Sequence, residues 1–276
     1  MTTIINHDLR VVDGRTLYMP PYAGGQDGWG NLALPDVGVS DAVQKYPIGT
    51  KYVEGDRTFR YAHANPSGGT ITPGRLVCNM NTVQERAGAS WDVNGVVGDT
   101  VVYINAMVNN IDLNEFAGGY LLYAGADGLS NMIPIVSNTA ATTGDGPSTI
   151  VLGMPLTGAA TAGVTGSTLT GSIFGNVLQM SVGAGTGYQS AVGLPLMEIT
   201  QDYYAWIQTW GPCIIVGVAA TGDTDDERTV IVNQDGCIKI ASMGTVDSQR
   251  AGFIATTTWY NTGAVSSNFI ILQLFP

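Results

Sequence analysis

Short runs of β-branched and aromatic residues, separated by turn residues, recur along most of this 276-residue chain. From Gly49 onward these runs follow one another about every 8–15 residues, with Gly, Asp, Asn or Pro between them, which is the spacing of strands in sandwiches, jelly rolls and barrels. The two helical candidates, 41–46 and 83–89, are too short for their periodicity to indicate a helix. The sequence therefore predicts an all-β fold, as a jelly roll or a β-sandwich.

Residues 51–61 give the clearest local prediction. The run KYVEGDRTFRY places Glu54-Gly55-Asp56 between two strand-like segments, which is typical of a β-hairpin. Further strands are predicted at 75–78, 100–108, 120–123, 131–136, 148–152, 177–182, 203–210, 213–218, 229–232, 237–240, 251–257 and 269–275.

Residues 1–48 combine dense helix breakers with large aromatic side chains, and the aromatics are Tyr18, Tyr22, Trp29 and Tyr46. Breakers prevent long helices, and disordered segments are poor in aromatics. We therefore expect an extended N-terminal arm over 1–48 whose rings pack on the parent domain or on a neighbouring copy. The remaining 49–276 is expected to be a β-rich body, formed by one module or by two intertwined ones.

Two long stretches, Ser137–Gly146 and Thr157–Gly171, are made almost entirely of Thr, Ala, Gly and Ser. They are predicted to be flexible loops, or alternatively projecting loops that become ordered when a partner covers them.

The charge pattern argues against nucleic-acid binding. Charged residues make up only 12% of the chain, and the formal net charge is −11, so no basic stripe is present for a phosphate backbone. No Lys or Arg occurs between Arg86 and Arg228, whereas the part up to Arg86 is neutral overall. A surface with few charges suits permanent burial against partner copies, because few charges need to be desolvated.

The residues that could carry chemistry are sparse. His7 and His63 lie in unrelated settings, and no nucleophile elbow, zinc-binding or Cys-x-x-Cys motif occurs, so neither an enzyme nor a cofactor or metal is expected. The acidic run Asp223–Glu227 is predicted to be a solvated hairpin tip, with a calcium site as the alternative. The glycine-rich 183–187 lacks the lysine of a phosphate loop and is predicted to be a turn.

Three cysteines, Cys78, Cys213 and Cys237, each lie in an apolar strand-like run without metal-ligand spacing. They are predicted to be small buried side chains, with a disulfide or a reactive thiol as the alternative, and this usage fits assembly in a reducing cytoplasm. The start of the chain lacks the apolar core of a signal peptide, and no apolar run is long enough for a membrane helix, so we expect no membrane partner.

Period-two spacing in the segment 203–210 puts Tyr204, Trp206, Gln208 and Trp210 on one face of a strand. Core packing is the first interpretation, and an interface anchor or a sugar-stacking platform are the alternatives.

Four runs, KYVEGDRTFRYA at 51–62, TPGRLV at 72–77, EFAGGYLLYAG at 115–125 and YYAWIQTWGP at 203–212, resemble the capsid decoration (cement) proteins of tailed bacteriophages. The resemblance covers about residues 49–275. It implies jelly-roll and β-tulip modules, a homotrimer on the outer capsid surface, and no catalytic residues.

The expected function is therefore that of a virion structural protein that is made in the host cytoplasm and stabilises the capsid lattice. Its expected partners are the major capsid protein, other copies of itself, and neighbouring decoration subunits reached by the arm. Residues 1–86 are expected to carry most lattice contacts, and deleting 1–45 is expected to abolish capsid binding while the body still folds. Alternatives are another virion part, such as a tail, head-completion or fibre protein, or a carbohydrate-binding module. The candidate interface residues are Tyr18, Tyr22, Trp29, Tyr46, Arg57, Arg60, Tyr204, Trp206 and Trp210.

Overall fold

The structure, a computed structural model, describes most of the chain with gaps between the ranges. The described residues are 9–18, 34–64, 69–79, 86–87, 95–105, 111, 113–124, 130–142, 146–159, 172–174, 176, 178–181, 190–219, 221–222, 228–233, 235–241, 249–255, 260–261 and 265–276. All regular structure in these ranges is strand, which confirms the all-β prediction. Among these residues no helix is long and apolar enough to cross a membrane.

The chain divides into two compact units. Unit 1 comprises Met1–Asn81 and Val177–Pro276, and unit 2 is the intervening Thr82–Asn176. The strands of unit 1 are β1 (Leu9–Val12), β2 (Arg15–Tyr18), β3 (Ser40–Asp41), β4 (Lys51–Glu54), β5 (Arg57–Ala64), β6 (Val77–Asn79), β13 (Gln179–Ser181), β14 (Ala191–Pro195), β15 (Tyr204–Val218), β16 (Thr229–Val232), β17 (Ile238–Ile240), β18 (Arg250–Ile254), β19 (Tyr260–Asn261) and β20 (Val265–Gln273). The strands of unit 2 are β7 (Arg86–Ala87), β8 (Val101–Asn105), β9 (Tyr120–Ala124), β10 (Ser130–Asn138), β11 (Pro147–Leu152) and β12 (Ser172–Phe174).

The long strand β15 organises unit 1. Its first half pairs with β5 and β14, and through β13 and β6 these strands form a closed ring. Its second half pairs with β17 and β20, and β16 and β18 close a second ring. Separate apolar clusters pack on the two halves of β15, with Ile207 in the first and Ile215 in the second. Closure removes most strand edges, and each fully buried aliphatic side chain stabilises the fold by about 1.5–3 kcal/mol.

A bulge at Thr209 separates the two halves of β15. The register shifts between Gln208 and Trp210, and the buried Gln208 amide donates to the carbonyl oxygens of Trp210 and Pro212 at 3.0 and 2.9 Å. The two segments predicted at 203–210 and 213–218 are therefore one strand. The bulge marks the point at which this strand leaves the first ring and enters the second.

The hairpin predicted at 51–61 is confirmed. Glu54 pairs with Arg57 across a two-residue turn in which Gly55 has a φ of 58°. Neither helical candidate is a helix in its described part, because Asp41 belongs to β3 and Arg86 to β7.

Part of the segment predicted to be an arm belongs to the sheet. β1 and β2 form a hairpin, and β2 pairs with β4 along its whole length. The side chain of Leu17 is buried in this sheet. A deletion of 1–45 would therefore remove three strands of unit 1 as well as any contacts with partners.

Unit 2 is a six-stranded sheet in the order β7-β12-β9-β10-β11-β8. Its inner face carries an apolar cluster that includes Val102, Leu121, Ile133 and Ile150. The buried Asn138 side chain accepts a hydrogen bond from the backbone N–H of Phe116 at 2.8 Å and so fixes the turn before β9. Within the first Thr/Ala/Gly stretch, Ala141 forms a β-bridge with Ile111.

Candidate interaction surfaces

The first candidate surface is a row of three side chains across β2, β4 and β5. Tyr18 lies directly opposite Lys51, and Lys51 lies directly opposite Arg60. The Lys51 Nζ lies 5.5 Å from the centre of the exposed Tyr18 ring, a cation–π contact. The Arg60 guanidinium donates to main-chain oxygens of Gly49 and of the last residue, Pro276, at 3.2 and 3.4 Å. We call these three side chains the cationic ladder.

The ladder places two positive charges side by side. Like charges directly opposite each other on neighbouring strands destabilise a sheet. Burial and the nearby Arg60 charge both lower the pKa of Lys51 from its usual value. Two positively charged side chains therefore lie side by side in a chain whose net charge is −11.

A second charged group lies on the opposite face of the same strands. Glu54 bonds Arg15 at 3.1 Å and Arg57 at 2.7 Å, so its charge is shared between two guanidinium groups. Arg57 also lies over the Phe59 ring, 5.2 Å from its centre. These contacts hold Arg57 within its own unit, although part of its side chain remains accessible.

Two of the aromatic residues predicted at an interface lie in the core of unit 1. The Tyr46 and Trp206 rings are buried with their centres 5.1 Å apart in an edge-on arrangement, and Tyr61 lies at the same distance from Trp206. The ring of Tyr46 thus packs on its parent unit, one of the two outcomes expected for the arm. Burial leaves Tyr46 and Trp206 little surface for a partner.

The prediction that Trp210 shares a face with Tyr204, Trp206 and Gln208 is wrong. Gln208 lies opposite Phe59, whereas Trp210 lies opposite Thr58, the next residue of β5. Neighbouring residues of a strand point to opposite faces, so the bulge at Thr209 turns Trp210 away from the aromatic core. Its side chain is half-buried.

His63 packs against an aromatic side chain of unit 1. Its ring stacks on Tyr204 with 4.3 Å between centres, and its Nε2 lies 2.9 Å from the Asp202 Oδ1. Tyr204 in turn stacks on Tyr61. Burial and the Asp202 charge both raise the pKa of Tyr204.

The three cysteines are free and buried, which confirms the prediction of small buried side chains. Burial raises the pKa of Cys78 and Cys237 to about 11 and that of Cys213 to about 12. In the described ranges, no group of three or more His, Cys, Asp or Glu side chains could hold a metal ion. Several residues named in the sequence analysis lie outside the described ranges, and they are His7, Tyr22, Trp29, 160–171, 183–187 and 223–227.

The second candidate surface is the outer face of the unit 2 sheet, which sequence reasoning missed. No strand among β8, β9, β10 and β11 contains a charged residue. Their inner residues fill the core, while apolar residues also alternate outward. We call the outward side chains the apolar face, and they are Tyr103, Tyr120, Met132, Pro134, Val136 and Val151. The sequence signal for this face is a set of uncharged strands in which apolar residues occupy both the inward and the outward positions.

No protein-family model, no curated protein and no solved structure matches this chain. The resemblance to phage decoration proteins therefore stays a prediction.

Proposed function

We propose that this protein is a non-enzymatic virion structural protein that binds the outer surface of a phage capsid and stabilises its lattice. The observation that carries the proposal is the cationic ladder, where Lys51 and Arg60 lie directly opposite each other. Such a repulsive pair is a local departure from good sheet design, and departures of this kind concentrate at functional sites. An acidic patch on a partner would relieve the repulsion and would be selected by it.

The remaining features support a role in assembly. Unit 1 closes its strands into two rings, which gives a rigid platform for the ladder. The jelly-roll or β-tulip architecture implied by the resemblance belongs to the same proposal. The partners proposed are the major capsid protein, through the ladder, and further copies of this chain.

Sedimentation with undecorated capsids of the virus that encodes the chain tests the proposal. The double variant Lys51→Glu, Arg60→Glu should lose binding by at least about tenfold, because like charges placed against an acidic patch repel it. Raising the salt concentration should weaken wild-type binding, since partly exposed charges are screened.

The control is Lys239→Glu in β17, which makes the same kind of charge reversal away from the ladder. It should bind like the wild type. The proposal fails if wild-type protein does not sediment with the capsids, or if the ladder variant, still folded by circular dichroism, binds as tightly as Lys239→Glu.

A further inference from the structure

The bulge in β15 places Trp210 on the face of the sheet that carries the cationic ladder. Trp210 lies opposite Thr58, and Thr58 lies opposite Val53. Residues two apart in a strand share a face, so Thr58 projects to the same side of β5 as Arg60, and Val53 to the same side of β4 as Lys51. Trp210 therefore lies in the row next to the ladder.

The spacing of the two rows brings the Trp210 ring within reach of the ladder. On a sheet, diagonal neighbours such as Trp210 and Arg60 are about 7–8 Å apart, which aromatic and long side chains can span. Trp210, Arg60 and Lys51 each keep part of their surface accessible, and Tyr18 is 41% exposed. Along the strand order β2-β4-β5-β15, two aromatic residues thus lie at the ends and two cationic residues between them.

The bulge is what gives Trp210 this position. Trp206 and Trp210 are four residues apart, so an uninterrupted strand would point both rings toward the aromatic core. The register shift between Gln208 and Trp210 moves Trp210 to the opposite side. β-Bulges are frequent next to functional sites, where they re-aim a side chain. Here the bulge takes a large aromatic ring out of the core and places it beside two cationic side chains.

We propose that Trp210 and the cationic ladder form one binding site for an extended acidic segment of the capsid protein, in which an apolar side chain follows the last carboxylate by two residues. The inference rests on the proposed function and deepens it, since it specifies the sequence that the partner presents to the ladder. The carboxylates would pair with Lys51 and Arg60, and the apolar side chain would cover the Trp210 ring. An extended chain advances about 6.5–7 Å in two residues, which matches the step from the ladder to the next row.

Charge and composition select this occupant. The chain has 22 acidic and 11 basic residues, so the protein as a whole repels an acidic segment while the ladder attracts it. Trp, Tyr and Arg are the residue types that most often dominate the binding energy of a protein interface, and Trp210, Tyr18 and Arg60 supply one of each. A partner with acidic residues alone would leave the Trp210 ring in water. A partner with both kinds of side chain uses the whole site.

Labelled peptides test the site without capsids. One probe peptide contains Glu-Glu-Ser-Leu, the matched probe contains Glu-Glu-Ser-Ser, and both have the same glycine-serine flanks. Fluorescence anisotropy measures the binding of each peptide to the full-length chain. The wild type should bind the leucine peptide about fivefold more tightly, since covering roughly 40 Å² of apolar surface gives that factor. Added salt should weaken the binding of both peptides, because partly exposed charges are screened.

Variants assign the preference to the Trp210 ring. Trp210→Ala should bind the two peptides equally, and Trp210→Phe should restore most of the preference, which a general disturbance of the fold would not allow. The double variant Lys51→Glu, Arg60→Glu should bind both peptides at least about tenfold more weakly. Ile214→Ala is the matched control, because Ile214 is a 60% exposed side chain of the same strand four residues farther from the ladder. It should bind like the wild type, and circular dichroism checks that every variant is folded.

The inference is overturned if the wild type binds both peptides equally, or binds neither up to about 1 mM. It is also overturned if Trp210→Ala keeps the preference, or if an oligosaccharide of uronic acids with the same charge binds more tightly than either peptide. If the wild type sediments with capsids but does not distinguish the peptides, the proposed function stands and this inference fails. If it prefers the leucine peptide but never sediments with capsids, the acidic-segment site stands and the capsid role fails.

Discussion

Replacing Gly211 with alanine tests how β15 passes from one ring to the other. Gly211 follows the bulge and has a φ of 93°, which L-residues rarely adopt. A β-carbon at this position would lie 2.1 Å from the backbone carbonyl oxygen of Asp56 and 3.1 Å from the Arg57 Cα. Both neighbours are backbone atoms at the β4–β5 turn, so they cannot swing aside as a flexible side chain would.

Two costs add in this variant. The positive φ costs an alanine about 1–2 kcal/mol. Opening the contact with Asp56 adds about 1–3 kcal/mol, as overpacking typically does. The total of about 2–5 kcal/mol is a large part of the 5–15 kcal/mol by which domains are usually stable.

Urea unfolding followed by tryptophan fluorescence measures this loss, since Trp206 and Trp210 lie in the same strand. Gly55→Ala is the matched control, because Gly55 also has a positive φ but no atom lies within 4 Å of its added β-carbon. Gly55→Ala should therefore show only the first cost. If the two variants lose equal stability, the backbone contact at Gly211 is not a constraint and the reasoning is refuted.

Two further predictions concern the core of unit 1. Trp206→Ala should lower the free energy of unfolding by about 3–5 kcal/mol, because it leaves a cavity among Tyr46, Tyr52 and Tyr61. Trp210→Ala should lower it clearly less. Equal losses of the two variants in urea unfolding would contradict the assignment of Trp206 to the core. The three cysteines should resist alkylation in the folded protein at pH 8 and react once the protein unfolds, because their raised pKa values keep the thiols protonated. Rapid alkylation of the folded protein, detected as a mass increase by mass spectrometry, would contradict this prediction. The sign of the shift also means that their contribution to stability is present below about pH 9 and falls as the pH rises toward the folded pKa values of about 11 to 12.

Local patterns in the sequence predicted local structure well. The Gly55-Asp56 turn and the alternating residues around it were sufficient to predict the β4–β5 hairpin. The β1–β2 hairpin had an equally strong signal in Asp13-Gly14, but the many breakers around it favoured the prediction of an irregular arm.

Non-local structure could not be predicted in the same way. Ring closure depends on β13 pairing in parallel with β5, although more than a hundred residues separate them, and no local pattern encodes that contact. Likewise, period-two counting across 203–210 assumes an uninterrupted strand. The bulge at Thr209 breaks that assumption, so the count failed for Trp210 while it held for Trp206.

The candidate surfaces were predictable in part. Arg60 and Tyr18 were expected at an interface, but their alignment with Lys51 depends on the register of three strands, two of which lay in or next to the predicted arm. No single strand of the apolar face predicts it. Its lack of charge becomes a surface property only when β8 to β11 lie side by side.

Imaging of intact virions tests the central claim most directly. Under the proposed function, antibodies raised against the purified chain and labelled with gold would be applied to particles of the virus from which the chain is proposed to come. Regular labelling over the outside of the capsid is the expected result. Labelling confined to the tail, or none on particles that contain the protein, would contradict it.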